Sequence, residues 1–221
     1  MKTVIKFIWK IIFYFIIFSV LWVSAYILIN PFITPYQAYN FLIGNGLDKS
    51  WVSYEEISPN FFKAVIASED ALFLEHKGVD WNAVEEAKKY NERHTNKKRG
   101  ASTITMQTAK NTFLWHGRTF VRKGLELYFT ILIEAVWGKK RIIEVYANVI
   151  ELGEGVYGVE AASQKFFRKS ANQLAKREAA LLAAVLPNPI RWNLSKPTGY
   201  INSRASTIQA RMNAVNLSKL K

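Results

Sequence analysis

From Ile11 to Asn30 the chain runs for twenty residues without a charge, and the next charged residue is Asp48. Twenty helical residues span about 30 Å, the thickness of a bilayer's hydrocarbon core, so this stretch predicts one membrane-spanning helix. A cleaved signal peptide is the competing reading, with Val23-Ser24-Ala25 as a weak cleavage site. The apolar region is longer than a signal core and continues through Ile27 and Ile29, which favours an uncleaved anchor. Beyond it the hydrophobic pattern follows the 3.6-residue period of helices, with no convincing period-two strand and no internal repeat. Ser58-Pro59 supplies a cap and a first-turn proline for a helix over 60–68. Asp80 caps a second helix, Trp81 to about Arg93, and Ser102 a third, from Thr103 to about Phe113. Further helices are expected over 118–137, 139–149, 157–167, 172–186 and 200–216. The segment 172–186 contains REAALLAAVL and reads as a central buried helix that Pro187 and Pro189 stop. The expected organisation is a tail (1–10), an anchor (11–30), a linker or entry segment (31–57) and one all-α domain (58–216).

Charge narrows the function. The formal net charge is +13, and ten charges remain after Lys2, Lys6 and Lys10, which precede the apolar stretch, are set aside. Such an excess calls for an anionic partner. Lysines on the N-terminal side of a span keep that end cytoplasmic and send the remainder across. Nucleic acid is therefore not expected; anionic lipid or a phosphorylated lipid is. The chain has no cysteine, which excludes thiol chemistry and a disulfide framework.

Three stretches carry candidate chemistry. Ser68–Gly78, SEDALFLEHKG, places Glu69 at the C-terminal end of an apolar helix. The helix dipole and the apolar neighbours both disfavour its ionised form there, which suits acid or base work near neutral pH. Alone, this stretch reads more readily as a solvated acidic cluster, since acidic pairs at helix ends are usually solvated surface. A basic run, Lys97 to Arg99, leads to Gly100, read as the site of an unusual backbone turn. In the stretch 100–111, Thr103, Gln107, Lys110 and Asn111 share one helical face. A cap, a polar stripe and a lysine beside an open helix N-terminus would suit a phosphate. Arg122, Lys123 and Glu126 lie on a helix that is otherwise mostly apolar. Arg122 and Glu126 are spaced for a simple i,i+4 pair, but a cluster on so apolar a helix fits the lining of a cleft. His94 and His116 have no ligand spacing and read as surface residues.

Together these segments resemble the family 51 glycosyltransferases, which polymerise lipid II into peptidoglycan strands. The first motif is carried by Glu69, Asp70, Phe73, His76 and Gly78. The second is carried by Gly100, Ser102 to Thr105, Gln107, Lys110 and Asn111. Arg122, Lys123 and Glu126 carry the third. The fourth is met by Lys140, Ile143, Glu144 or its register neighbours, Tyr146 and Asn148, and Arg177 to Ala184 looks like the fifth. The resemblance runs from about residue 58 to 213. It implies a lysozyme-like helical head with a small membrane-facing jaw, in an enzyme anchored in the cell inner membrane with its catalytic domain in the periplasm. Lipid II and the growing glycan strand would be its partners, along with the membrane and other cell-wall synthesis proteins. Glu69 would be the general base for the acceptor hydroxyl, and undecaprenyl diphosphate would leave with inversion. Glu126 would assist at the diphosphate; whether through a divalent cation, magnesium or manganese, is left open. Asp70, Phe73, His76, Gly100, Ser102, Thr103, Gln107, Lys110, Asn111, Arg118, Arg122 and Lys123 would form the substrate-binding side, the first three more as supports for Glu69. Leu125, where some relatives carry a cation, shifts weight to Arg118 and Lys123. No fused second domain is expected. Two rivals have distinct signatures: a lysozyme-like hydrolase would not need the cation cluster, and a non-catalytic cell-wall binding module would not need Glu69.

Overall fold

The structure is a computed structural model that describes residues 2–94, 98–117 and 119–220. Ten α-helices and three very short strands make up its regular elements, in keeping with an all-α reading. Helix α1, Lys2–Ala25, is one continuous rod, long and apolar enough to cross a membrane. It starts well before the expected boundary because Val4, Ile5, Phe7, Ile8 and Trp9 carry the apolar run back between Lys2, Lys6 and Lys10, whose like charges at i,i+4 do not themselves favour helix. It ends at Ala25, not Asn30. Pro31 disfavours helix at the residue before it, and Arg141 takes the carbonyls of Tyr26 and Ile29 and the side chain of Asn30.

The stretch 31–57 is more than a linker. Thr34 caps helix α2, Pro35–Leu42, and Thr34 and Gln37 bond reciprocally in a capping box. The turn at Gly44-Asn45-Gly46, with both glycines at positive φ, leads into strand β1, Asp48–Lys49. β1 pairs in parallel with β3, Val156–Tyr157, which pairs antiparallel with β2, Glu151–Gly153. Gly155 sits at φ +66° against the Asn45 carbonyl, where an added Cβ would come within 2.2 Å; only glycine fits. Two-residue strands carry no readable alternation, which is why the sequence pattern misses this sheet.

The core lies among α3 (Pro59–Glu69), α5 (Ile104–Phe113), α6 (Phe120–Val136), α7 (Lys139–Val149), α9 (Lys176–Val185) and α10 (Gly199–Arg211). α9 is buried as expected, with Ala179, Ala180, Leu182, Ala183, Ala184 and Val185 all inaccessible to solvent. Its small side chains let α3 and α10 approach closely. It starts later than expected, after a 3-10 turn over 171–173, because Glu178 accepts the Ala175 N–H and sets the first turn there. α8 (Val159–Phe167) also starts late: Val156–Tyr157 belong to the sheet and Gly158 turns the chain at φ +86°. α10 stops at Arg211 and a 3-10 turn follows. The remaining helix, α4 (Trp81–Arg93), has the predicted Asp80 cap.

α1 packs onto α6 and the end of α5 rather than standing apart. Trp22 and Tyr26 stack against Phe113, the Trp137 indole N–H donates to the Val23 carbonyl at 2.9 Å, and the hydroxyls of Ser19 and Tyr128 are 2.6 Å apart. The candidate anchor is thus part of the core of the folded region.

Candidate active site

Glu69 is the last residue of α3, delivered to the end of a helix whose other face (Phe61, Phe62, Val65, Ile66) is buried in the core. Its side chain is 14% exposed, enough to reach solvent on one side only. Burial raises its pKa; the Gln107 amide, Arg204 and Lys110 act against that rise. Gln107 Nε2 donates to Glu69 Oε2 at 3.1 Å, and Tyr146 OH donates to Gln107 Oε1 at 3.4 Å. Arg204 places its guanidinium 3.6 Å from Glu69 Oε1, while its Nε donates to the Ala184 carbonyl at 3.1 Å. A buried carboxylate held between an amide and a guanidinium is oriented, and it retains an ionised form that can accept a proton.

Asp70 leaves the helix in an extended conformation and turns inward. Its carboxylate accepts the Ile104 N–H at 2.9 Å and His76 Nε2 at 2.9 and 3.0 Å. It therefore sits on the N-terminus of α5, where the helix dipole favours an anion. Thr103 caps the same helix, accepting the Met106 N–H and donating to the Gly78 carbonyl. These contacts correct three expectations. The cap is Thr103, and Ser102 is exposed beside it. The N-terminus of α5 already holds an anion: Asp70 takes the Ile104 N–H and Thr103 the Met106 N–H, which weighs against a phosphate there. Gly100 does not take a positive φ. Phe73 is fully buried beneath Lys139, whose ammonium lies 4.6 Å from the ring centre, so it supports the loop and cannot touch a substrate. Lys139 also bonds Glu134 and the His76 carbonyl at 2.7 Å. The register of the fourth motif is thereby settled in favour of Lys139 as the inward lysine, because Lys140 reaches outward to Glu55.

The cation cluster forms on α6. Glu126 is buried, with one oxygen on Arg122 and the other on Lys123; Arg122 is itself buried and donates from Nε to the Gly117 carbonyl at 2.6 Å. The i,i+4 pair exists, but in a buried setting where loss of either partner strands a charge. Lys110, in the last turn of α5, feels both Glu126 and Glu69, and burial lowers its pKa. Asn111 faces His116 Nε2 at 3.4 Å. Arg118 and Lys97 lie outside the described residues.

Two clefts open here. One, of about 330 Å³, exposes Glu69, Asp70, Arg99, Gly100, Ser102 and Thr103. The other, of about 520 Å³, is lined by Lys88, Lys98, Ser102, Met106 and Lys123. They share Ala101 and Ser102, so the Glu69 carboxylate on one side and a wall of Lys88, Lys98, Lys123 and Glu92 on the other face a common threshold. The sequence did not point to Arg204, which lies 135 residues beyond Glu69 in an unremarkable amphipathic helix. Only packing of α10 on α3 and α9 brings it in.

No group of three His, Cys, Asp or Glu side chains is gathered for a metal among the described residues. The Glu126 oxygens are both taken by cations, and those of Glu69 face Gln107 and Arg204. This donor set does not fit a protein-held divalent cation, and no step is routed through one.

The family model described as Transglycosylase matches residues 37–213. A biosynthetic peptidoglycan transglycosylase of Bdellovibrio bacteriovorus is 59% identical over 167 residues, covering 76% of this chain and 66% of that protein. Its namesakes in Rhodospirillum centenum and Shigella boydii are 56% and 57% identical, with 72% and 67% of their lengths covered. The matched region takes in Glu69, both clefts and the cation cluster, and the chain belongs to the transglycosylase family.

Proposed function

We propose that this chain is a peptidoglycan glycosyltransferase that extends glycan strands from lipid II, with release of undecaprenyl diphosphate. The observation that carries this reading is the pairing of a buried, oriented Glu69 with a lysine-lined cleft across the Ser102 threshold. Glu69 takes the proton of the acceptor sugar's hydroxyl, which attacks the anomeric carbon of the donor. The departing diphosphate needs cations rather than a proton; Lys123 supplies one from the cleft wall, and Lys110 and Arg122, which share its electrostatic field, supply the others. Glu126 acts by holding Arg122 and Lys123 in place, since both of its oxygens are engaged. A divalent cation enters only as a counterion carried by the diphosphate. α1 anchors the enzyme in the inner membrane as a single span, its lysines on the cytoplasmic side and the folded domain in the periplasm.

The test is incubation of the full chain with labelled lipid II in vesicles. Strand growth with release of undecaprenyl diphosphate is expected, and it should be lost in K110M. Digestion of purified sacculi without diphosphate release would instead make the protein a hydrolase. Strand growth that is unaffected by E69Q would remove Glu69 from the chemistry.

A further inference from the structure

His116 reads from the sequence as an ordinary surface residue; it is exposed, and the fold also sets it within reach of the charges of Lys110 and Arg122. It lies in the segment joining α5 to α6. Its imidazole stacks flat on Tyr36 of α2, with ring centres 3.5 Å apart and planes inclined by 10°. Its Nε2 is 3.4 Å from the Asn111 side chain, and the next residue, Gly117, gives its carbonyl to Arg122. The tyrosine ring is itself fixed, since its hydroxyl donates to Glu151 at 2.9 Å. The ring is thus held in one orientation while its edge stays open to solvent.

Its charged neighbours among the described residues are Lys110 from α5 and Arg122 from α6. Packing against Tyr36, followed by these two cations, holds its pKa down to about 4. Glu126, the one carboxylate of the cluster, is already shared between Arg122 and Lys123 and does not offset this. A side chain able to carry a further positive charge therefore stands, immobilised and uncharged, beside two fixed ones. The arrangement is electrostatically frustrated in a way that an arriving polyanion relieves.

We infer that His116 is a further binding residue for the diphosphate leaving group: it is neutral in the free protein and takes up a proton from solvent as the anion settles against Lys110 and Arg122. The imidazolium then donates a charge-assisted hydrogen bond to a phosphate oxygen. This rests on the reading of Lys110 and Arg122 as the diphosphate site.

The experiment is calorimetric titration of the full chain in detergent micelles with farnesyl diphosphate. It is run at pH 6 and pH 8 in buffers of different ionisation enthalpy, on wild type, H116Q, H116F and K110M. H116F keeps the ring stacked on Tyr36, so a loosened segment does not confuse the result. Wild type should take up more protons per ligand than either His116 variant at pH 6; the difference cancels the ligand's own titration. Both variants should bind about tenfold more weakly at pH 6 and nearly normally at pH 8. If K110M loses binding while the His116 variants match wild type in affinity and proton count, the inference is overturned and the site reading stands. If K110M also binds normally, or wild type does not bind, the site reading falls and the inference with it.

Discussion

Burial would make Glu69, the proposed base, reluctant to ionise; the Gln107 amide and then Arg204 temper that rise. Without Arg204, the ionised form of Glu69 loses its facing cation, so its pKa rises further and the acidic limb of the kcat/KM profile moves to higher pH. R204Q is expected to shift that limb by about one pH unit, with R204K restoring part of the shift. A purely structural role for Arg204 would lower the rate without moving the limb. A carboxyl group whose folded pKa is raised costs stability once pH passes its unfolded value, because the native state must then give up a proton it holds more tightly. E69Q should therefore melt no lower than wild type at pH 7 while losing about 10²- to 10⁴-fold in polymerisation rate. A melting curve beside a rate measurement decides both points. For His116 the sign is opposite in direction but the logic is shared: its folded pKa is lowered, so the unfolded chain binds the proton better below pH 6.5. Acidification from pH 7 to 5 should lower the melting temperature of wild type more than that of H116F.

At the level of elements, the loop between α3 and α4 is closed by its own Asp70–His76 pair and otherwise owes its shape to neighbours. Asp70 caps α5, Gly78 accepts from Thr103 and packs its bare Cα against Thr130, and Lys139 of α7 ties the His76 carbonyl to Glu134 of α6. Lys139 is the junction of this web. K139M should leave Glu134 without its partner ion and release the loop, costing about 2 kcal/mol or more in denaturant unfolding. Activity should fall further than the stability loss alone explains, because Asp70 and Glu69 are adjacent. If K139M unfolds like wild type, the web is not what holds the base. α5 shows the same dependence. Its N-terminus looked like a phosphate site by residue type, but a carboxylate from 34 positions upstream fills it.

For the whole molecule, the docking of α1 ties membrane and site together. Trp22, Val23 and Tyr26 cover Phe113, Phe129 and Trp137, on or just beyond the two helices that carry Lys110 and Arg122. A chain truncated before Tyr26 should keep its helical circular dichroism but uncover this aromatic face. It should then require detergent to remain monodisperse in size-exclusion chromatography. A truncated chain that stays monomeric without detergent would show that α1 is a tether only. Because the side chains of the described residues assemble no cation cage, adding EDTA should leave the melting temperature of the substrate-free protein unchanged.

The sequence alone determined the all-α class, the apolar span, the exact α4 and α7 boundaries, and which residue types could do chemistry. These rest on local rules: a cap such as Asp80 acts within one helical turn, and twenty uncharged residues are visible as such. The motifs also marked Glu69, Lys110, Arg122, Lys123 and Glu126 without reference to a fold. The tertiary structure decided what each of them faces. Arg204 meets Glu69 only because the alanines of α9 let α10 and α3 draw together, and His116 meets the cations only because Tyr36 lies on a helix hidden in an apparent linker. The two-residue strands exist only as pairings between distant segments. Charge–charge contacts, desolvation and sheet pairing are set by distance in space, which residue spacing along the chain does not encode.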